Sequence, residues 1–213
     1  MNRAALRGRL IAFEGGEGAG KSTQLAHLAH WLEAGGHAVH TTREPGGTPG
    51  AEAIRALFVS GTPDRWTAEA DALLVTAARA DHVARGIRPA LAAGAVVLTD
   101  RFVHSTLAYQ GGGKGLDMEA LKAMHRFATG DLWPELVLWI DLPPDVGLSR
   151  AAARHGTPDR FEGHDMAFHQ RVRAAFAALA DADPRIRRID GLADEEAVAS
   201  ACRAEVERLL SRA

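Results

Sequence analysis

Residues 15–22 read Gly15-Gly16-Glu17-Gly18-Ala19-Gly20-Lys21-Ser22. This is the complete G-x-x-x-x-G-K-[ST] spacing of a phosphate-cradling loop. Before it stands the apolar run Leu10-Ile11-Ala12-Phe13, which suits a buried strand. After it, Leu25, Leu28, Ala29 and Leu32 recur at helical spacing and define one apolar face. Strand, glycine loop and helix in that order are the context the loop chemistry requires. The glycines let the backbone curl so that its N–H groups point at phosphate oxygens, and the helix N-terminus adds a favourable dipole. Lys21 can reach the outer phosphates, and the Ser22 hydroxyl can ligate Mg²⁺. The loop, Gly15 through Ser22 with Thr23 behind it, is therefore expected to hold a nucleoside triphosphate.

The rest of the chain reads as an α/β fold around that unit. Apolar runs alternate with helical patterns, which argues for a parallel sheet. The expected strands lie at about 9–14, 38–42, 95–100, 136–141 and 185–190. Helices are expected at 21–34, 51–58, 68 to about 93, and 194–212. Gly35-Gly36 ends the first helix, and Glu44-Pro45-Gly46-Gly47-Thr48-Pro49 is a loop by composition. Gly111-Gly112-Gly113-Lys114-Gly115 reads as a flexible loop. The strand Ala95-Val96-Val97-Leu98-Thr99-Asp100 ends in a carboxylate placed, like the phosphate loop, at the carboxyl edge of the sheet. Asp100 could hold Mg²⁺ there, directly or through water.

Composition narrows the function. The 213 residues suit one domain with a single core. The net charge is −2, so nothing overall suggests a nucleic-acid or membrane binder. Only Lys21, Lys114 and Lys122 are lysines, and one of them sits in the phosphate loop. The single cysteine, Cys202, excludes an intrachain disulfide and fits a reducing compartment. The segment from Met1 to Arg9 has no apolar h-region, and the apolar run after it is too short to span a bilayer. A cytoplasmic protein is expected. His27 and His30 have metal-pair spacing, but no third ligand is near them in sequence.

Four further segments carry a family resemblance. They are Phe13-Glu14-Gly15 leading into the loop, Arg43-Glu44-Pro45-Gly46-Gly47-Thr48, Ala77-Ala78-Arg79, and Asp100-Arg101-Phe102-Val103-His104-Ser105-Thr106-Leu107-Ala108-Tyr109-Gln110-Gly111. With them the chain resembles the bacterial thymidylate kinases over nearly its whole length. The resemblance implies the three-layer P-loop NTPase fold, with a five-stranded parallel sheet flanked by helices. It implies transfer of the ATP γ-phosphate to dTMP, with Mg²⁺, in a homodimer. It places Glu17 near the acceptor sugar and phosphates, and Arg101 on the acceptor phosphate. Arg79 would face the thymine edge, Ser105 and Thr106 would contact the base, and Tyr109 would pack against the deoxyribose where a ribose 2′-hydroxyl would sit. Gln110 completes the substrate-binding segment. In many relatives a phenylalanine four residues before the arginine matched by Arg79 stacks on the base; here the position is Val75.

The stretch from about 147 to 162 resembles the family's lid. The phosphate loop carries no arginine, so the lid is expected to supply basic groups to catalysis. Arg150 and Arg154 are four apart and share one helical face, and Arg160 follows. These join Lys21, Glu17 and Arg101 as the expected catalytic set. Two other readings stand beside this one: a kinase for another nucleoside monophosphate, and a nucleotide-dependent switch. A guanine-specific switch would be expected to carry an Asn-Lys-x-Asp segment, and the sequence has none.

Overall fold

A computed structural model describes residues 8–153 and 160–211. Among these residues the elements run in chain order: β1 Arg9–Glu14, α1 Lys21–Ala34, β2 Val39–Arg43, α2 Pro49–Phe58 and α3 Ala68–His82. A π-helical turn, Val83–Ile87, carries α3 into α4, Arg88–Ala92. Next come β3 Val96–Asp100, α5 Val103–Thr106 with a π-helical extension over Leu107–Gly113, and α6 Met118–Thr129. The chain closes with β4 Leu136–Asp141, α7 Pro144–Ala152, α8 Met166–Ala182, β5 Ile186–Asp190 and α9 Glu195–Leu210.

The strands form one sheet in the order β2-β3-β1-β4-β5, and every pairing is parallel. β1 and β4 are buried along nearly their whole length, so they read as continuous apolar runs rather than alternating ones. Their residues divide by parity between two cores. Ile11, Phe13, Leu98, Leu138 and Ile140 face α1 and α9, where Leu28, Leu32, Val198 and Val206 meet them. Leu10, Ala12, Val97, Val137 and Trp139 face the other layer, with Ile87, Phe102, Tyr109, Val172 and Phe176. Helix starts are set by short polar caps: Thr48, Thr67, Asp117, Asp165 and Asp194 each accept a backbone N–H of the first turn.

The helix expected at 68–93 spans α3, the π turn and α4 as one continuous run. The expected flexible loop at Gly111–Gly115 is a correction. Gly111 to Gly113 complete the π-helical segment and lie against α6 and α8. A Cβ on Gly112 would fall 2.3 Å from the Ala175 Cβ, and one on Gly113 would fall 2.6 Å from the Phe168 ring. These glycines are present for close approach, not for freedom. The seam fixes the segment that carries Tyr109 and Gln110. Cys202 lies buried on α9, where burial raises its thiol pKa to about 12. No helix among the described residues is long and apolar enough to cross a membrane.

Candidate active site

The carboxyl ends of β1, β3 and β2 open into a cleft of about 650 Å³, within the usual range for small-ligand sites. Its floor is the glycine loop. Gly20 has φ +88 and precedes α1 without a capping side chain, and the first turn of α1 carries no acidic residue. The N–H groups at that end are thus left to an anion. Gly15 at φ +142 and Gly18 at φ +65 adopt backbone that side chains rarely take. A Cβ on Gly18 would meet the Gly147 carbonyl at 2.0 Å, and one on Gly147 would meet the Glu17 carbonyl at 2.3 Å. Paired glycines therefore let the loop lie directly on the first part of α7, where the sequence placed the lid.

Lys21 is buried and its Nζ donates to the Gly16 carbonyl at 2.8 Å, bridging its own loop. Burial, and then Arg101, lowers its pKa to about 8. Ser22 Oγ donates to Asp100 Oδ2 at 2.8 Å, so helix start and strand end converge on one point. Two oxygens of this kind suit a hard divalent cation whose other ligands come from phosphates and water. The pair fits Mg²⁺ on that ground.

Arg101 ties the loop to the segment that follows β3. It adopts φ 72, a left-handed conformation unusual outside glycine. Its Nη1 donates to the Gly15 carbonyl at 2.8 Å and to Ser105 Oγ at 3.1 Å, and its Nη2 donates to Glu17 Oε1 at 2.8 Å. Burial opposes its charge, but Tyr109, Glu17, Asp100 and Glu14 outweigh that and hold it protonated. Tyr109 donates its hydroxyl to the same Glu17 oxygen at 2.7 Å, and the Arg101 guanidinium lies 5.0 Å from the Tyr109 ring centre. Burial would raise the Glu17 pKa, yet Arg101, Lys21 and the Tyr109 hydrogen bond bring it down to about 2. Beneath lies Glu14, fully buried. It accepts the Phe102 and Ser105 N–H groups at 2.9 and 3.1 Å and the Ser105 hydroxyl at 2.5 Å. Its burial dominates those contacts and lifts its pKa to about 7.

At the far end of the cleft stand Arg79, Thr106, Val75, Phe102 and Phe58. Arg79 Nη2 donates to Thr106 Oγ1 at 3.0 Å. The family model of thymidylate kinase matches residues 13–201. The chain is 52% identical over 196 residues to the thymidylate kinase of Caulobacter vibrioides, covering 92% of this chain and 94% of that one. The chain belongs to the thymidylate kinase family. The thymidylate kinase of Thermomicrobium roseum is 51% identical over 203 residues, 95% of this chain and 96% of that relative. The crystal structure of thymidylate kinase from Ehrlichia chaffeensis superposes with a TM-score of 0.74 at 30% identity, covering 92% of this chain and 98% of that one.

The structure of this family member brings most of the expected residues into one cleft. Glu17 through Thr23, Arg79, Asp100, Arg101, Ser105, Thr106, Tyr109, Gln110 and Arg150 all line it. Gly15 and Gly16 form the loop's entry. Arg150, exposed on α7, makes a long contact to the Gly191 carbonyl at 3.4 Å. Arg154 lies outside the described residues. Arg160 is the correction. It does not reach the cleft but is buried among α2, α3 and the loop between them, donating to Phe58 O, to Pro63 O at 3.2 Å, and to Asp71 Oδ1. Its guanidinium stands 4.3 Å from the Phe161 ring centre and 5.0 Å from that of Phe58. Asp71, fully buried, has its second oxygen on Lys114. Arg160 thus anchors the end of the segment expected to form the lid. The sequence reading missed Glu14 and Phe161. An acid ending an apolar strand was the available signal for the first; none marked the second.

Proposed function

We infer that this chain is an ATP-dependent kinase that phosphorylates dTMP to dTDP. The observation that carries the reading is the Arg101 junction, where one guanidinium touches the phosphate loop at Gly15 and Glu17 and the acceptor wall at Ser105. Donor and acceptor phosphates that meet there face one another across Lys21 and Arg101. Phosphoryl transfer needs little covalent help from a protein and depends on positioning and on charge neutralisation. The loop N–H groups and Lys21 hold the donor phosphates. Arg101 binds the acceptor phosphate. Glu17, held ionised, and Tyr109 frame the sugar, with the Tyr109 ring occupying the space beside its 2′ carbon. Arg79 and Thr106 face the base. Mg²⁺ bound with ATP would sit between Ser22 and Asp100 and offset phosphate charge.

Basic charge from the lid completes the set. Arg150 is the described lid arginine on the cleft wall, and Arg154 follows it four residues on. Protonated Lys21 and the lid arginines meet charge that develops in the transition state. A homodimer forms across α3. This helix packs against both α2 and α6, and each carries an exposed large apolar side chain: Leu73 at 61%, Leu57 at 48% and Phe127 at 94%. Sedimentation at micromolar concentration should give twice the chain mass. The lone buried cysteine suits the cytoplasm. The assignment of Arg101 is tested by Arg101→Gln: the KM for dTMP should rise by ~100-fold or more, as expected on losing a charge-assisted contact to phosphate, and by more than the KM for ATP, which changes only through the loop that Arg101 braces. Unchanged dTMP kinetics would overturn it.

A further inference from the structure

Arg79 lines the cleft yet is only 1% exposed, so its orientation is imposed by its neighbours. Its Nε donates to Glu44 Oε2 at 2.6 Å, its Nη2 is on Thr106, and its Cζ stands 5.2 Å from the Phe102 ring centre. Nη1 alone is buried without a hydrogen-bond partner among the described residues. Glu44 is fixed in turn. Its Oε1 lies 3.1 Å from His82 Nδ1, and His82 Nε2 lies 2.7 Å from Thr42 Oγ1. A carboxylate can only accept, so Nδ1 carries a proton toward Glu44, while Nε2 and the threonine hydroxyl share the second bond. His82 follows Arg79 by three residues, which puts both on one face of α3. Gly47 closes over the chain of bonds. At φ +86, a Cβ there would stand 2.4 Å from Thr42 Oγ1 and 2.5 Å from His82 Nε2.

We propose that Glu44 and His82 are positioning residues that hold the one unpartnered N–H edge of Arg79 toward the pyrimidine, and that selectivity among pyrimidine monophosphates depends on them. The proposal rests on the reading that Arg79 faces the acceptor base. A fixed N–H donor suits the 4-carbonyl of thymine and opposes the 4-amino group of cytosine. With Glu44 or His82 removed, the guanidinium can rotate about its stem, and the donor is no longer committed to one edge.

The test compares kcat/KM for dTMP and dCMP in Arg79→Ala, Glu44→Gln, His82→Leu and His82→Asn, with KM for ATP and thermal melts alongside. Arg79→Ala is the reference. Glu44→Gln and His82→Leu should each lower the dTMP-to-dCMP preference, by about 10-fold for the first, the difference between a charged and a neutral hydrogen bond. KM for ATP should stay within about 2-fold, since the network reaches no donor contact. His82→Asn places an amide N–H near the Nδ1 position and should restore most of the preference. If Glu44→Gln and His82→Leu fold and keep the wild-type preference while Arg79→Ala loses it, the positioning role is overturned. If Arg79→Ala also keeps it, the base-site reading beneath the proposal fails instead. Parallel loss of ATP and dTMP affinity with a lowered Tm also overturns the proposal, because that is what a merely structural network would give.

Discussion

Replacing Arg160 with alanine separates an anchor from a catalytic group. In the folded chain the guanidinium neutralises Asp71, which has no exposed surface, and donates to the Phe58 and Pro63 carbonyls. Removing one partner of a buried ion pair typically costs about 3–5 kcal/mol, because the other charge is left in a medium that cannot solvate it. Here Lys114 still holds the second Asp71 oxygen, which argues for the lower end, about 3 kcal/mol. For a chain of this size that corresponds to a Tm lower by ~6–12 °C. Arg150→Ala provides the contrast. Arg150 is exposed and, among the described residues, makes only the long contact to Gly191, so its loss should change stability by less than ~0.5 kcal/mol. If Arg150 supplies charge in the transition state, kcat falls instead, by ~10²–10³, less than a sole arginine finger would cost. Urea denaturation and steady-state kinetics of both variants make the comparison. An Arg160→Ala protein that melts like wild type but has lost turnover would refute the anchor and return Arg160 to the catalytic set.

Three other expectations follow from the geometry. In the nucleotide-free protein Lys21 is held near pKa 8, so kcat/KM for ATP should decline as pH rises through about 8, while kcat at saturating ATP declines only at higher pH because bound phosphate favours the ammonium; coincident profiles would contradict the assignment. Glu14 is raised from 4.5 to about 7 by burial, so the folded state binds the extra proton between those values and stability should fall as pH rises from about 4.5 to 7. The loss is on the order of 2–3 kcal/mol, and in urea titrations Glu14→Gln should flatten that window; an unchanged slope would remove Glu14 as its source. Tyr109→Ala should raise activity on ribo-TMP relative to dTMP, whereas Tyr109→Phe keeps the ring and most of the exclusion; no gain in the alanine variant would dismiss the steric role.

What could be read from the sequence was local. The run Leu10–Phe13, the glycine loop and the apolar face of α1 lie within one stretch, so periodicity and turn chemistry sufficed. The same holds for the strand ending at Asp100, whose alternate residues fill both cores. Features set by distant partners were not legible. Arg160 looked like a lid arginine because its sequence neighbours are lid-like; its counter-ion Asp71 is 89 residues away on α3. Gly111–Gly113 carried the composition of a flexible loop, and only the approach of Met118, Ala175 and Phe168 shows why each lacks a side chain. Glu44 stood in a motif, but its pairing with His82 and Arg79 needs α3 laid beside the end of β2.

If the proposed function holds, the cleft joins ATP to one pyrimidine deoxynucleotide through Arg101 and Arg79. The most direct measurement is ADP release by the purified full chain with ATP and Mg²⁺, using dTMP, dUMP, dCMP and dGMP in parallel, with the diphosphate product identified. Stoichiometric dTDP is expected, with a kcat/KM for dTMP at least ~100-fold above that for dCMP and dGMP, the scale of discrimination set by correctly paired polar groups in a buried site. Folded protein that hydrolyses ATP without making dTDP, or that accepts all four nucleotides equally, would contradict it.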